Sequence, residues 1–277
     1  MREIGKETSA TIFEVREFCL HDGPGIRTTV FFKGCPLRCT WCHNPEGLSP
    51  EPEMLYKAPR CVHCGNCEHG GDCPHGARIR CGRRWTAPEL ARELLVNADV
   101  FASSGGGITF SGGEPLLQAD FIAELIPLLK GDCPQHLAIE TSGFASLSTY
   151  KKVISNLDLV FQDLKHPDPV LHRRWTGVDP APIHENLRWL KASGKPFIAR
   201  IPLIPGVNDD ATAKEGFAQL LAGPSGLQRV ELLPYHLTAA AKYPFTGRTY
   251  NPDFDENRPL DTDLSVFLDH GLNAVMM

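Results

Sequence analysis

Thr28-Thr29-Val30-Phe31-Phe32-Lys33-Gly34-Cys35-Pro36-Leu37-Arg38-Cys39-Thr40-Trp41-Cys42-His43-Asn44-Pro45 reads as a strand that runs into a loop of three cysteines. Its β-branched and aromatic residues favour extended chain, and Gly34 and Pro36 end it. Cys35, Cys39 and Cys42 then follow at a C-x3-C-x2-C spacing. A cubane [4Fe–4S] cluster held only by protein needs a thiolate on each iron. Three thiolates leave one iron open to a further ligand, much as a catalytic metal keeps one position vacant.

Upstream, Thr11–Val15 reads as another strand. The link between the two strands, His21-Asp22-Gly23-Pro24-Gly25-Ile26-Arg27, is a turn by its glycines and proline. Because the next strand leads straight to Cys35, the turn is expected beside the active site. Downstream, residues 49–84 are rich in Cys, Gly, His, Pro and Arg and show no apolar period. A segment of that kind needs a staple. Cys61, Cys64 and Cys67 stand at C-x2-C-x2-C, and Cys73-Pro74 follows. The pattern is similar to a ferredoxin half-motif with its last gap stretched to five residues. The fourth thiolate is then Cys73 or Cys81, and a structural zinc site is the rival reading. His63, His69 and His75 are nearby alternatives, each more simply an exposed loop histidine. Cys19, Cys81 and Cys133 stand alone and read as small buried residues.

From Thr86 the chain turns regular. Thr86-Ala87-Pro88-Glu89 is a capping box, followed by Leu90, Leu94 and Leu95 on one helical face. Strands at Gly107–Ser111, Leu137–Ile139, Leu159–Phe161, Phe197–Ile204, Val230–Leu233 and Asn273–Val275 alternate with helical patterns. Those patterns are carried by Phe121/Leu125/Leu129, Ile183/Leu187/Leu190, Lys214–Leu221 and Leu264–Leu268. Alternation of this kind implies βα units around a parallel sheet, with ligands at the carboxyl ends of the strands. Ser111-Gly112-Gly113-Glu114-Pro115, Glu140-Thr141-Ser142-Gly143, Asp163-Leu164-Lys165 and Pro234-Tyr235-His236 fall at that rim, and Arg200 lies within a strand.

The chain has 277 residues, a net charge of −5 and 42 % hydrophobic residues. That is enough for one large α/β domain with an insert. It argues against a nucleic-acid partner. No apolar run matches a membrane span. Ten cysteines, seven in two tight groups, point to metal rather than disulfides in a cytoplasmic protein.

The His21–Arg27 turn, the run from Phe31 to Glu46 and the Gly112-Gly113-Glu114-Pro115 turn together resemble the radical S-adenosylmethionine (SAM) superfamily. Within it they resemble the activating enzymes of glycyl-radical enzymes. The runs Asp163–Lys165 and Leu232–His236 match as well. The resemblance implies an α/β fold, a partial (β/α)6 TIM-like barrel made of residues 1–48 and 85–277. Residues 49–84 would form a small ferredoxin-like, cysteine-rich insert.

By the same resemblance Cys35, Cys39 and Cys42 hold a SAM-binding [4Fe–4S] cluster. Cys61, Cys64, Cys67 and Cys73 would hold an auxiliary [4Fe–4S] cluster. Trp41, Cys42, His43 and Asn44 would lie near the adenosyl part of SAM, and Gly112 and Gly113 at its amino group. Asp163, Lys165 and His236 would serve its carboxylate, a monovalent cation or the ribose, with Glu140, Leu164 and Arg200 completing the site. No catalytic residue is implied beyond cluster and SAM. Reductive cleavage would yield a 5′-deoxyadenosyl radical that takes a hydrogen atom from a partner's glycine. His21, Asp22, Gly23, Pro24, Gly25 and Arg27 would receive the glycine loop of that glycyl-radical enzyme. A flavodoxin or ferredoxin would donate the electron. The alternatives are a radical SAM enzyme for a small molecule and a non-catalytic iron–sulfur or zinc protein.

Overall fold

The computed structural model describes residues 8–69, 73–131 and 135–277. Cys133 and the side chain of His69 lie outside the described parts. Two strands open the chain, β1 (Ser9–Cys19) and β2 (Arg27–Phe32), paired antiparallel. After the cysteine loop come a short hairpin, β3 (Glu53–Tyr56) and β4 (Arg78–Cys81), and then β5 (Arg83–Thr86). The regular part follows in order: α1 (Ala87–Leu95), α2 (Ala98–Ser104), β6 (Gly107–Gly112), α3 (Ala119–Leu129), β7 (His136–Thr141), α4 (Leu147–Ile154) and β8 (Leu159–Asp163). It ends with α5 (Pro169–Thr176), α6 (Ala181–Ser193), β9 (Phe197–Leu203), α7 (Ala211–Leu221), β10 (Leu227–Pro234), α8 (Ser265–Asp269) and β11 (Ala274–Met276).

Nine strands form one sheet in the order β11-β10-β9-β8-β7-β6-β2-β1-β5. Every pair from β2 to β11 is parallel. The α/β reading with a mostly parallel sheet therefore holds. β9 shows why: in Phe-Ile-Ala-Arg-Ile-Pro-Leu all residues but Pro202 are buried, which a parallel strand covered on both faces requires. The capping box of α1 is formed, with Glu89 N–H donating to Thr86 and Thr86 N–H to Glu89. Leu90 and Leu94 are buried beneath it, each stabilising the fold by about 1.5–3 kcal/mol. The short helices α2 and α5, absent from the sequence reading, lack a long apolar period. α5 stands on a local device instead: Asp168 caps Leu171 N–H at 2.8 Å, and Gly177 ends the helix in the left-handed region.

The hairpin β3–β4 pairs only with itself among the described residues. It is tied to the main body by a chain of charges. Glu53 accepts from Lys33 at 2.8 Å and from Arg248 at 2.6 Å, and Lys33 is fully buried. β5 belongs to the large sheet, where Arg83 pairs with Ile12 and Trp85 with Ala10. The expected insert end at residue 84 therefore falls inside a strand of the sheet.

Candidate active site

Six parallel strands deliver their carboxyl ends to one cavity of about 370 Å³. Cys35, Cys39 and Cys42 line one wall. Gly112 and Gly113 come from the end of β6, Glu140 from β7, Asp163 and Lys165 from the end of β8, and His236 follows β10. Trp41, His43 and Asn44 also line the cavity. These positions, scattered over some 200 residues, meet because parallel strands end on the same side.

The glycine turn and the cysteine loop are built against each other. Gly34 N–H donates to Gly47 O at 2.8 Å, and Glu114 N–H donates to Gly34 O at 2.7 Å. A Cβ on Gly113 would stand 2.2 Å from Gly34 O, and one on Gly112, at φ +118°, 2.3 Å from Phe32 N. Both positions require glycine, because backbone must lie on backbone there. The far side of the loop is strapped to α5, where Arg38 N–H donates to Thr176 O at 2.7 Å.

Glu114 locks the turn to the end of β7. It is 1 % exposed and accepts from Leu116 N–H (3.1 Å), Thr141 Oγ1 (2.6 Å) and Ser142 N–H (2.9 Å), and also from Ser142 Oγ. Burial raises its carboxyl against these bonds. The sequence showed Glu114 in its motif but gave no sign that it was a brace. Ser111, Thr141, Ser142 and Tyr235, which the strand ends had placed at the rim, line the cavity too.

Two expected site residues lie elsewhere. Leu164 belongs to the hydrophobic core at 3 % exposure, so it does not face the cavity. The strand period turns it away from its neighbours Asp163 and Lys165. Arg200 stands behind the wall and does not line it. Its guanidinium donates to Glu140 and to Glu231, each at 2.8 Å, and stacks 3.9 Å over Phe161. Burial would push the Glu140 carboxyl up, but the Arg200 charge outweighs it and holds the carboxyl below its usual range.

The His21–Arg27 turn is not beside the cysteines. It precedes β2, whereas Cys35 follows it, so the two lie at opposite ends of that strand. Gly23 and Pro24 sit against the amino ends of β7, β8 and β9. Arg27, expected to receive a partner, is fully buried. It donates to Thr109 Oγ1 (2.7 Å), Ile108 O (2.6 Å), Pro24 O (3.2 Å) and His136 O (3.2 Å). Its work is to hold the turn closed, and burial lowers its pKa to about 10. The turn still communicates with the cavity: Arg200 donates to His21 O at 2.8 Å while gripping Glu140, and Glu140 accepts from Ser111 at 2.7 Å.

The donor set of the cavity fits an iron–sulfur centre. Burial pushes the thiols of Cys35 and Cys39 up to about 12 and that of Cys42 upward. Three such thiols become thiolates only opposite a strong positive centre. Among the described residues no three His, Cys, Asp or Glu side chains close on a point for a single metal ion. A cubane gives each thiolate its own iron, so its ligands stand farther apart. Lys165 and Asp163 pair at 3.0 Å beside the thiols. Burial works against the Lys165 charge, yet the Asp163 carboxylate holds its pKa above the usual lysine value.

The second cysteine group forms its own cavity, of about 200 Å³, lined by Cys61, Cys64, Cys67 and Cys73 with His63 and His75. Cys81 is not part of it; it is buried at the end of β4. Left-handed backbone at His63 and Gly65 winds the first three thiols into a tight coil. Ala77 N–H donates to Cys73 Sγ at 3.3 Å. Backbone N–H groups, those of Arg78 and His75 foremost, hold the Cys73 thiol below its ordinary value. Cys19, of the lone cysteines, is half-buried and hydrogen-bonds Arg16 O at 3.4 Å.

Comparisons with known proteins agree with this geometry. The family model of the radical SAM superfamily matches residues 29–214. The chain is 36 % identical to the choline trimethylamine-lyase activating enzyme of Oleidesulfovibrio alaskensis, covering 88 % of this chain and 89 % of the relative. It is 36 % identical to the benzylsuccinate synthase activating enzyme of Thauera aromatica (86 % and 82 % covered). Identity to the pyruvate formate-lyase 2-activating enzyme of Escherichia coli is 37 % (90 % and 85 %). Among solved structures, a radical SAM methyltransferase from Sphaerobacter thermophilus shares the fold at TM-score 0.56 and 18 % identity, over 96 % of this chain and 76 % of that one. Among the described residues no helix is long and apolar enough to cross a membrane. With a [4Fe–4S] cluster and S-adenosylmethionine as its cofactors, the chain belongs to the radical SAM superfamily and, within it, to the activating enzymes of glycyl-radical enzymes.

Proposed function

We propose that Cys35, Cys39 and Cys42 ligate the SAM-binding cluster and that the 370 Å³ cavity holds SAM. The single observation that carries this is the convergence of three half-buried thiols, the Gly112-Gly113 turn and the Asp163–Lys165 pair on one cavity. When bound, cluster and SAM together supply the electron transfer and the radical that removes a hydrogen atom from the partner's glycine.

The chain's own residues bind, orient and exclude. Gly112 and Gly113 present bare backbone to the methionyl amino group. Lys165 neutralises the methionyl carboxylate, with Asp163 and His236 serving a monovalent cation or the ribose. Trp41, His43 and Asn44 flank the adenosyl part. Trp41 packs with Trp175, Ile204 and Val207, a dry wall behind the site. Lys242 donates to Asn44 Oδ1 at 2.9 Å and Glu46 Oε1 at 2.6 Å, so the segment after β10 ties down the exit of the cysteine loop. Such placement and water exclusion are what a protein adds to cofactor chemistry.

In this reading the strands before the cysteine loop and the chain from β5 onward form a partial barrel of six βα units. The segment from residue 49 to the start of β5 forms a ferredoxin-like insert whose auxiliary [4Fe–4S] cluster is ligated by Cys61, Cys64, Cys67 and Cys73. The four thiols around one cavity favour Cys73 over Cys81. The inner edge of the His21–Gly25 turn, where Arg200 holds His21 O and Glu140 together, is the part that a glycine loop entering the cavity would meet. A flavodoxin or ferredoxin donates the electron. The relatives named for choline trimethylamine-lyase, benzylsuccinate synthase and 4-hydroxyphenylacetate decarboxylase lie at 33–36 % identity, so identity does not select the partner.

The test is anaerobic reconstitution, reduction with dithionite and assay of 5′-deoxyadenosine from SAM. Product is expected, and a glycyl-radical EPR signal should appear when the right partner is added. Fully loaded protein that never cleaves SAM would overturn the assignment of the cavity.

A further inference from the structure

We propose that the outer face of the β3–β4 hairpin is the docking surface for the electron donor, a small acidic electron-carrier protein. The proposal rests on the reading of the insert as an iron–sulfur module, and names the surface through which it meets its donor.

Strand geometry assembles the face. Met54 and Tyr56 alternate on β3, Arg78 and Arg80 on β4, and the register sets Met54 opposite Arg80 and Tyr56 opposite Arg78. All four side chains are exposed, Met54 at 59 % and Tyr56 at 42 %. The inward-facing Leu55 and Ile79 are partly covered. Two apolar side chains flanked by two guanidiniums make a patch that water solvates poorly at its centre and well at its rim, the anatomy of a protein interface.

The charge is local. Residues 49–84 carry six Lys and Arg against four Asp and Glu, while the rest of the chain carries 22 against 29. Arg83 and Arg84 on β5 continue the basic strip along a groove of about 610 Å³ that Arg80 also lines. Among the described residues, Arg78, Arg80 and Arg83 have no carboxylate within ion-pair distance; Arg84 has an exposed one, Glu51, at 3.4 Å. A positive patch on a negative protein selects an acidic partner and steers its approach.

The face is also in the right place. Tyr56 and Arg78 belong both to it and to the wall of the cavity that holds Cys61, Cys64, Cys67 and Cys73. A protein seated there touches the insert's thiol site. The thiols of the cysteine loop line the cavity that the proposed function gives to SAM and the partner's glycine, so a carrier seated there would compete with both. Redox encounters are small and transient interfaces, so a patch of this size suffices.

The test measures binding directly. A bacterial flavodoxin and a bacterial ferredoxin are titrated by calorimetry onto the reconstituted full-length protein, at low and high salt. The wild type is compared with a Met54→Asp/Arg80→Glu variant, whose changes lie outside the thiol cavity. At least one carrier should bind the wild type, and the variant should bind it about tenfold or more weakly at low salt. The gap should narrow at high salt, with iron per chain and dithionite-driven SAM cleavage unchanged. If the variant loads iron poorly, Arg80→Gln replaces it and should weaken binding in the same direction. Equal affinity in wild type and variant, or no binding of either carrier to the wild type, overturns the proposal. So does a loss confined to affinity for the glycyl-radical partner or to self-association. Zinc in place of iron in the insert, with arginine-dependent carrier binding intact, would retain the docking surface and defeat the auxiliary-cluster reading.

Discussion

The two cysteine groups differ in what holds them, although all but Cys64 are equally half-buried. Cys35, Cys39 and Cys42 sit at the end of a buried strand, under Trp41 and against a backbone-on-backbone glycine contact, and burial drives their thiols up. Cys61, Cys64, Cys67 and Cys73 sit in a small module with little core, and at Cys73 backbone N–H groups draw the thiol down. The first site is preorganised by the whole sheet, the second by its own coil. This suits the proposed roles: a centre that releases a reactive radical needs dry walls, while one that exchanges electrons with another protein needs the surface.

That contrast can be broken at the thiols, where the largest effects are expected. Cys39→Ala should remove 5′-deoxyadenosine formation to background and leave about four of some eight irons per chain. Cys64→Ala should lose the other four while the SAM-binding cluster remains and dithionite still drives cleavage. Iron analysis and product assay on the two variants must give mirror-image results; if Cys64→Ala empties both sites, the groups are not independent.

Next in size is Lys165. On the proposed assignment Lys165→Met removes a charge-assisted contact to the methionyl carboxylate, and SAM affinity should fall about 10–100-fold. Equilibrium dialysis reads this, and unchanged affinity would move the carboxylate elsewhere in the cavity.

Gly113→Ala tests the preorganisation itself. Its Cβ meets Gly34 O at 2.2 Å, so the turn and the cysteine loop must part. About 1–3 kcal/mol of stability should be lost, visible in a thermal melt, together with SAM cleavage. The equivalent change at Gly65, where a Cβ meets nothing within 4 Å, leaves only the strain of φ +76°.

The smallest effect concerns how the two regions are joined. Burial would raise the Glu53 carboxyl, but hydrogen bonds from Lys33 and Arg248 lower it below 4.5. Its stabilising contribution is therefore full above pH 4.5 and is lost as pH falls through the depressed value. Glu53→Gln should cost about 1 kcal/mol at neutral pH, and its difference from the wild type should shrink on acidification. Urea melts at the two pH values decide this.

Periodicity made most of the parallel sheet and its helices legible. The capping box at Thr86, the strand at Phe197 and the helix at Ile183–Leu190 all appear where their patterns fall, because local propensity and burial agree there. The site was legible in part for a different reason: parallel strands end together, so polar residues after successive strands had to share a rim. Leu164 and Arg27 went astray because a motif says which residues occur together and not which way a side chain turns. The turn at His21–Arg27 was misplaced because closeness to Cys35 along the chain is not closeness across a strand.

By itself the sequence determined the alternation of strands and helices, the two thiol groups and the family, since these depend on spacing and on residue type. Only the tertiary structure decided that Glu114 and Arg200 are braces, that Arg27 is walled in and that Cys81 stands apart from the insert's other thiols. Those facts depend on contacts between segments remote along the chain, such as Glu114 with Ser142 and Arg200 with His21, and pairings of that range leave no local pattern in the residues that make them.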